Sequence, residues 1–177
     1  MNLLVYIIVY PFMWLISRMS FGLIYLFSDM MYYLIYYIFS YRKKVVRENL
    51  KLAFPKMSIE ERIKIEKKYY RYLSDIFLES FKSMNISEDE MKRRYKFKNP
   101  ELLNRIYDKH QNLILIAGHY CSWEWVFILD RFTKYKINAI YKKLSNKYFE
   151  KWAKRNRSKY NGDLISTKDT FREILKK

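Results

Sequence analysis

The sequence predicts an α/β fold that follows a set of membrane-associated helices, and two contrasts within the chain lead to this prediction. Residues 1–41 contain only Arg18 and Asp29 as charged groups, although the whole chain has a formal net charge of +17. Beyond Pro100, by contrast, helical and strand patterns alternate in a β-α-β order, which favours a parallel sheet with helices over it. We therefore predict a membrane anchor over residues 1–41 and a separate domain over residues 42–177.

Composition limits the class of protein. A chain of 177 residues with 50% hydrophobic and 19% aromatic residues is apolar enough to fold as a domain with its own core and is not disordered. The positive charge predicts attraction to an acidic partner, which leaves nucleic acid, an anionic membrane surface and an acidic carrier protein as candidates. The single cysteine, Cys121, excludes an internal disulfide and favours a reducing, cytoplasmic setting.

The apolar opening consists of two runs that part near Arg18 and end at the basic cluster Arg42–Lys44. A bilayer span needs about 20 apolar residues, and the first run is shorter than that. One tilted span and an interfacial pair of helices both remain open, as does a buried helical hairpin in a soluble protein. No basic region precedes the runs, so a cleavable signal peptide fits poorly. The positive-inside rule places the residues after Arg42 in the cytoplasm.

Residues 45–91 show helical patterns. We predict one helix that ends at Pro55 and a second that begins with the Ser58–Glu61 capping box. The sequence SEDEMKRR, which starts at Ser87, predicts a further capped helix, and YKFKN before Pro100 predicts a short strand. An apolar stripe near helical spacing is typical of core packing. It comprises Ile59, Ile63, Ile65, Tyr69, Tyr72, Leu73, Ile76, Phe77 and Phe81.

After Pro100 the pattern predicts four elements in turn. They are a helix over residues 101–110, a buried strand over 112–118, a helix over 122–135 and a strand over 137–144. In open parallel sheets the active groups gather at the carboxyl ends of the strands. His119 directly follows the predicted buried strand, so we expect its side chain to face that edge of the sheet.

His119 and Glu124 form a candidate catalytic pair. If His119 lies in the turn and Ser122 caps the following helix, Glu124 lies in the first helical turn and can reach back to the imidazole. A carboxylate on one ring nitrogen fixes the tautomer and leaves the other nitrogen to take a proton from a hydroxyl. The alternative is a histidine bonded to backbone and a solvated acid that interacts favourably with the helix dipole.

Other kinds of site have little support in the sequence. Cys121 lies two residues from His119 in a tight turn, which gives poor geometry for a Cys–His nucleophile. With two histidines, one cysteine and no spaced ligand set, we expect no metal site. The three glycines, at Gly22, Gly118 and Gly162, cannot form a phosphate-binding loop, and we expect no cofactor.

Four blocks of the sequence resemble one known family in the same order along the chain. GHYCSWEW, residues 118–125, resembles the His-x4-Glu block of the bacterial lipid A late acyltransferases, within the wider glycerolipid acyltransferase superfamily. Tyr41–Arg62 resembles the segment that follows the membrane anchor in that family. Residues 139–152 resemble its next strand and loop, and Arg155–Ile165 resembles its Arg-Ser segment before a short strand. The resemblance spans nearly the whole chain.

The resemblance implies acyl transfer from acyl-acyl carrier protein to a hydroxyl of a lipid A precursor at the cytoplasmic face of the inner membrane. It implies that His119 is the general base and that Glu124 orients it. It implies neither a metal nor a covalent enzyme intermediate. It also implies that four residues bind the acceptor's phosphates or the carrier's acidic surface. These are Lys142, Asn146, Arg157 and Ser158.

The chain departs from the family pattern at three points. The family usually has Gly-Asn where this chain has Cys121 and Ser122, and commonly Arg where it has Lys142, which lacks a bidentate fork. The chain also ends before the family's Asp-Gln block, which indicates a fragment with part of a site. A lysophospholipid or aminoacyl lipid acceptor, and a non-catalytic membrane-surface remnant, are the alternatives. A nucleic-acid binder would explain the charge, but no binding motif is present.

Overall fold

The computed structural model describes residues 2–120 and 122–175, which are mostly helical and form two compact units. One unit holds Leu15–Lys82, and the other holds the remaining described residues. The first helices are α1 Asn2–Arg18, α2 Phe21–Tyr33, a π-helix Leu34–Ile38, α3 Lys43–Ala53 and α4 Ile59–Lys82. The later elements are α5 Glu88–Arg94, α6 Glu101–Tyr107, a 3-10 helix Trp123–Arg131, β1 Asn138–Tyr141, α7 Lys147–Arg157, β2 Asp163–Ser166 and α8 Thr170–Ile174.

The unit Leu15–Lys82 is built on α2 and α4, which pack side by side and antiparallel. Near one end the Tyr25 hydroxyl donates to Glu79 Oε1 at 2.9 Å. Near the other end Tyr36 packs against Tyr70, with ring centroids 5.2 Å apart. Aromatic side chains form one buried cluster of this unit, because large rings fill the space between the helices and bury much apolar surface. The core cluster comprises Tyr32, Tyr36 and Tyr70.

The predicted capping box at the start of α4 is confirmed. Ser58 donates its backbone N–H to Glu61 Oε2 at 2.8 Å, and Glu61 donates its N–H to Ser58 Oγ at 3.2 Å. These contacts lower the pKa of the Glu61 carboxyl. Farther along α4, Arg47 Nε donates to the buried Glu66 at 2.8 Å, and this bond joins α3 to α4. A charged contact therefore holds α3 against α4, although α3 contains no buried residue.

The apolar stripe predicted as core packing on α4 is buried at one of its nine positions, and the other positions are half-buried or exposed. The buried residues of α4 are Glu66, Tyr70, Ser74, Ile76 and Leu78. Of the predicted stripe only Ile76 belongs to them, while Ile59 and Phe77 are 68% and 52% exposed. Polar contacts with α2 and α3 select the buried face of α4, and the spacing of apolar residues does not reveal that selection.

The helices predicted to start at Ser87 and after Pro100 are confirmed. Ser87 Oγ accepts from the Glu90 backbone N–H at 3.2 Å, and α6 begins directly after Pro100. The helix predicted over residues 122–135 is shorter and forms a 3-10 helix. A 3-10 run of nine residues is long, since the tighter hydrogen bonds of this helix are weaker. Its apolar side chains reach the core: Trp125, Phe127, Ile128 and Leu129 are buried.

Two predicted strands are wrong. Residues 95–99 form an irregular segment, and residues 112–118 do so as well. Ile114 and Ile116 in the second segment are 87% and 91% exposed. Apolar composition predicted burial there, but a buried strand also needs hydrogen-bonded neighbours in a sheet. The sheet seen in the described residues contains β1 and β2, and neither pairs with this segment.

The predicted β-α-β unit over residues 112–144 is wrong, but a parallel β-α-β unit follows it, and its first strand is the second strand of the predicted unit. β1 and β2 pair in parallel, from Asn138 opposite Asp163 to Tyr141 opposite Ser166, and α7 connects them. The strand predicted over 137–144 is confirmed as β1, and the short strand expected after the Arg-Ser segment is confirmed as β2. The α/β prediction therefore holds only for a two-stranded sheet among many helices.

The start of α1 packs against α7 in the second unit. Tyr6 stacks on Tyr148 with 5.4 Å between ring centroids and meets the edge of Phe149 at 5.3 Å. Asn146 Nδ2 donates to the Asn2 carbonyl at 3.0 Å. These contacts fix the amino-terminal end of the helix that terminates in Arg157.

We expect Gly162→Ala to destabilise the second unit. An added Cβ would lie 2.9 Å from Asp130 Oδ2 and 3.1 Å from the Ile137 carbonyl oxygen. Asp130 is held in place, because its other oxygen accepts from the Ile137 N–H at 2.8 Å. Overpacking of this kind costs about 1–3 kcal/mol, and a lower thermal unfolding midpoint would measure it. A Cβ at Gly118 meets nothing within 4 Å, so an equal loss for Gly118→Ala would contradict the prediction.

Candidate active site

His119 lies on the exposed segment that precedes the 3-10 helix. Its side chain is exposed, and its imidazole lies beside the indole of Trp123, with ring centroids 5.5 Å apart and planes inclined at 57°. Cys121, the one thiol in the sequence, lies outside the described residues. The imidazole is open to a substrate approaching from solvent, as a general base must be in order to reach the proton that it abstracts.

Glu124 lies in the first turn of the 3-10 helix, as predicted. The turn begins at Ser122, whose backbone carbonyl accepts from the Trp125 N–H at 3.0 Å. The predicted cap by the Ser122 side chain is wrong. Its Oγ is buried and has no hydrogen-bond partner within the described part of the chain. The tight 3-10 turn uses the backbone carbonyl instead, so a more distant residue must hold the Glu124 carboxylate.

Arg157 holds Glu124 in a bidentate ion pair. Arg157 Nε donates to Glu124 Oε2 at 3.0 Å, and Nη2 donates to Oε1. The two side chains are only 22% and 11% exposed, and charge-assisted bonds of this kind are stronger away from water. The bond to Glu124 raises the pKa of the Arg157 guanidinium. Among the described residues, Glu124 therefore has Arg157 rather than His119 as its hydrogen-bond partner.

The placement of Arg157 depends on how α7 is attached to β1. Glu150, in the first turn of α7, accepts from the Tyr141 hydroxyl at 2.5 Å and from the Leu144 backbone N–H at 2.9 Å. Burial, followed by the bond to Glu150, raises the pKa of Tyr141 to about 12, so the hydroxyl keeps its proton at neutral pH. Because β1 ends at Tyr141, these bonds orient the helix whose last residue is Arg157.

The other predicted ligands occupy the two ends of α7 and the loop before it. Lys142 directly follows β1 and is exposed. Asn146 caps α7, since its Oδ1 accepts from the Tyr148 N–H at 3.0 Å. Ser158 directly follows the last residue of α7 and is exposed. Within residues 2–120 and 122–175, Arg157 is the one predicted ligand that bonds to a member of the candidate catalytic pair.

The described residues at the site are suited to acid–base chemistry. No group of three or more His, Cys, Asp or Glu residues that could hold a metal ion occurs in residues 2–120 and 122–175. The arrangement offers an exposed imidazole and, five residues away in sequence, a carboxylate fixed by a guanidinium. An imidazole in this setting can accept a proton from a hydroxyl.

Comparison with known proteins places the chain in a family. A family model described as bacterial lipid A biosynthesis acyltransferase matches residues 2–177. No curated protein and no solved structure matches the chain. The matched residues include His119, Glu124 and Arg157, together with all the helices and strands described above. The chain therefore belongs to the bacterial lipid A biosynthesis acyltransferase family.

Proposed function

We propose that the chain transfers a fatty acyl group from acyl-acyl carrier protein to a hydroxyl of a lipid A precursor at the cytoplasmic face of the inner membrane. The observation that carries this proposal is the family match over residues 2–177. The net charge of +17 supports it, because an acidic carrier and a phosphorylated acceptor are both attracted to a basic surface. The apolar stretch Phe21–Ile38, of which 22% is buried, supports action at a membrane.

His119 is the general base in this proposal. Its free ring nitrogen takes the proton of the acceptor hydroxyl while the hydroxyl oxygen attacks the carbonyl carbon of the thioester. Collapse of the tetrahedral intermediate then breaks the carbon–sulfur bond, and the imidazolium returns the proton to the leaving thiolate. The acyl group passes directly from sulfur to oxygen, so no covalent enzyme intermediate forms.

Glu124 supports the imidazolium, and Arg157 positions Glu124. A carboxylate offers about four lone-pair sites, and the two bonds from Arg157 leave the others for a ring N–H of His119. The proposal requires the imidazole to turn from Trp123 towards Glu124 when the acceptor binds. A carboxylate already fixed by a bidentate guanidinium needs little reorganisation at that step, which favours the charged transition state.

Lys142 and Ser158 contact the acceptor's phosphates or the acidic surface of the carrier in this proposal. Both residues are exposed, and Lys142 presents a point charge that suits a phosphate oxygen. Asn146 belongs to the same binding region, although its side chain already caps α7 and donates to the Asn2 carbonyl. Its contribution is to hold the loop that carries Lys142.

The test is transfer of a labelled acyl chain from acyl-acyl carrier protein by the purified chain. A lipid A precursor, a lysophospholipid and an aminoacyl lipid are offered as separate acceptors. We expect label to appear on the lipid A precursor and the mass of lipid A in cells to depend on the intact gene. Transfer only to another acceptor would replace the proposed substrate, and no transfer to any acceptor would favour a non-catalytic remnant.

We expect Cys121→Ala to retain most of the acyl-transfer activity. The proposed mechanism moves the acyl group without a thiol on the enzyme, so the cysteine has no chemical role. Initial rates of transfer by the variant and the parent chain measure this directly. Complete loss of transfer, with an unchanged circular dichroism spectrum, would instead support a cysteine nucleophile.

A further inference from the structure

One helical stretch in the described residues is long and apolar enough to cross a membrane. It comprises α2 and the following π-helix, Phe21–Ile38, with a mean hydropathy of 1.3. Such a stretch can cross the bilayer, or it can lie along one surface with a single face in the lipid. The contacts that the stretch makes with α4 distinguish these arrangements.

The inner face of Phe21–Ile38 is bound to α4 through polar and charged side chains. The Ser28 hydroxyl donates to Asp75 Oδ1 at 2.5 Å, and both Ser28 and its neighbour Asp29 point to α4. Asp29 pairs with Arg71 at 3.3 Å, and the Arg71 guanidinium also lies 5.3 Å from the centre of the Tyr32 ring. Together with the bond between Tyr25 and Glu79, these contacts run along the whole length of the stretch. The contact pairs are Tyr25–Glu79, Ser28–Asp75, Asp29–Arg71 and Tyr36–Tyr70.

The partner helix α4 is rich in charge. Eleven of its 24 residues are Asp, Glu, Lys or Arg. They are Glu60, Glu61, Arg62, Lys64, Glu66, Lys67, Lys68, Arg71, Asp75, Glu79 and Lys82. If Phe21–Ile38 crossed the bilayer with these contacts intact, α4 would enter the hydrocarbon beside it. Charged side chains at that depth are costly and rare, so the packing of α2 on α4 argues against a span.

The outer face of the same stretch is apolar and exposed. Its exposed apolar and aromatic residues recur at helical spacing, which makes one continuous stripe. They are Leu23, Leu26, Phe27, Met30, Tyr33, Leu34, Tyr37 and Ile38. The basic cluster Arg42–Lys44 begins four residues after Ile38 and complements anionic headgroups. An apolar stripe that ends at a cationic cluster is typical of a helix that lies in a bilayer interface.

We propose that Phe21–Ile38 lies in one leaflet of an anionic bilayer without crossing it. The apolar stripe faces the acyl chains, and α4 lies on the water side of the stretch. This inference rests on the proposed membrane association and is independent of the proposed acyl transfer. It has a definite topological consequence, because the residues that precede and follow the stretch are then on the same side of the bilayer.

Labelling of paired cysteines tests this consequence without any control over protein orientation. In a Cys121→Ala background, Ser20→Cys and Lys44→Cys are combined in the full chain, which is reconstituted into phosphatidylethanolamine–phosphatidylglycerol vesicles. A membrane-impermeant maleimide is added outside, and mass spectrometry counts the labels on each molecule. We expect molecules with two labels or none. Molecules with a single label, which become doubly labelled in detergent, would show a span and overturn the proposal.

A depth measurement supplies the second readout. A fluorophore on Leu26→Cys is compared with one on Lys68→Cys, an exposed position of α4, in vesicles that carry a nitroxide at a shallow or a deep position of the acyl chain. We expect the shallow nitroxide to quench the Leu26 probe more strongly and neither nitroxide to quench the Lys68 probe. Stronger quenching of the Leu26 probe by the deep nitroxide, or no quenching because the chain does not bind the vesicles, would overturn the proposal.

Discussion

His119→Ala is expected to lower acyl transfer by about 10²–10⁴-fold, which is the usual contribution of a general base. The imidazole is exposed and lies beside Trp123, so its removal opens no cavity in the core. The fold and membrane binding should therefore be unchanged. The measurement is the rate of labelled acyl transfer to a lipid A precursor, with circular dichroism and vesicle binding as checks on the folded state.

The second histidine provides the matched control. His110 is also exposed, and its backbone φ is 56°. We therefore choose His110→Asn, because asparagine tolerates that left-handed conformation better than alanine does. This variant should transfer acyl groups at the parent rate. Parent-level transfer by His119→Ala, or an equal loss in both variants, would refute the assignment of His119 as the base.

Glu124→Gln should also reduce transfer severely, because it removes the negative charge that stabilises the imidazolium. The losses from His119→Ala and Glu124→Gln should not add, since groups that act as one unit are strongly non-additive. We expect the double variant to transfer acyl groups at about the rate of the slower single variant. Losses that multiply would indicate that the two residues act independently.

The features that the sequence predicted correctly are encoded within a few residues. The capping box joins Ser58 to Glu61, and the cap of α5 joins Ser87 to Glu90. In both cases a hydroxyl three residues before an acid satisfies the free backbone N–H groups of a helix start. The strand β1 is also local, since its apolar run over residues 137–144 predicts it without a distant partner.

The features that the sequence did not predict depend on residues far apart in the chain. Residues 112–118 have the composition of a buried strand, yet whether a strand forms is decided by the neighbours that it can bond to. The buried face of α4 is set by its contacts with α2, such as that of Asp75 with Ser28, 47 residues earlier. The composition and the residue spacing within one element do not predict contacts with such distant partners.

In the candidate site, too, the local features follow from the sequence and the long-range contact does not. The positions of His119 and Glu124 on either side of a helix start follow from the sequence, and Glu124 does lie in the first helical turn. The ion pair of Glu124 with Arg157 spans 33 residues, and no local pattern joins the two. The family resemblance implies that Arg157 binds the acceptor's phosphates or the carrier's acidic surface, whereas in the structure its guanidinium is bound to the Glu124 carboxylate.

Arg157→Gln is expected to cause the largest loss of stability among the substitutions considered. It leaves the Glu124 carboxylate, 11% exposed, without its counter-charge, and breaking one side of a buried ion pair costs about 3–5 kcal/mol. The loss of unfolding free energy should be at the lower end of this range, about 3 kcal/mol, because both side chains retain some contact with water. Chemical unfolding measures the loss. Arg155→Gln is the matched control, since Arg155 lies in the same helical turn, carries the same charge and is exposed.

The double variant Glu124→Gln and Arg157→Gln separates the structural role of the pair from its catalytic role. Two neutral amides leave no buried charge unpaired, so more than half of the stability lost in Arg157→Gln should return. Acyl transfer should nevertheless stay as low as in Glu124→Gln, because the restored fold still lacks the carboxylate that supports His119. If stability and transfer recovered together, the pair would serve the fold alone. If Arg157→Gln were as stable as Arg155→Gln, the ion pair would contribute nothing to the stability of the folded state. The role of Arg157 would then be to bind the acceptor's phosphates.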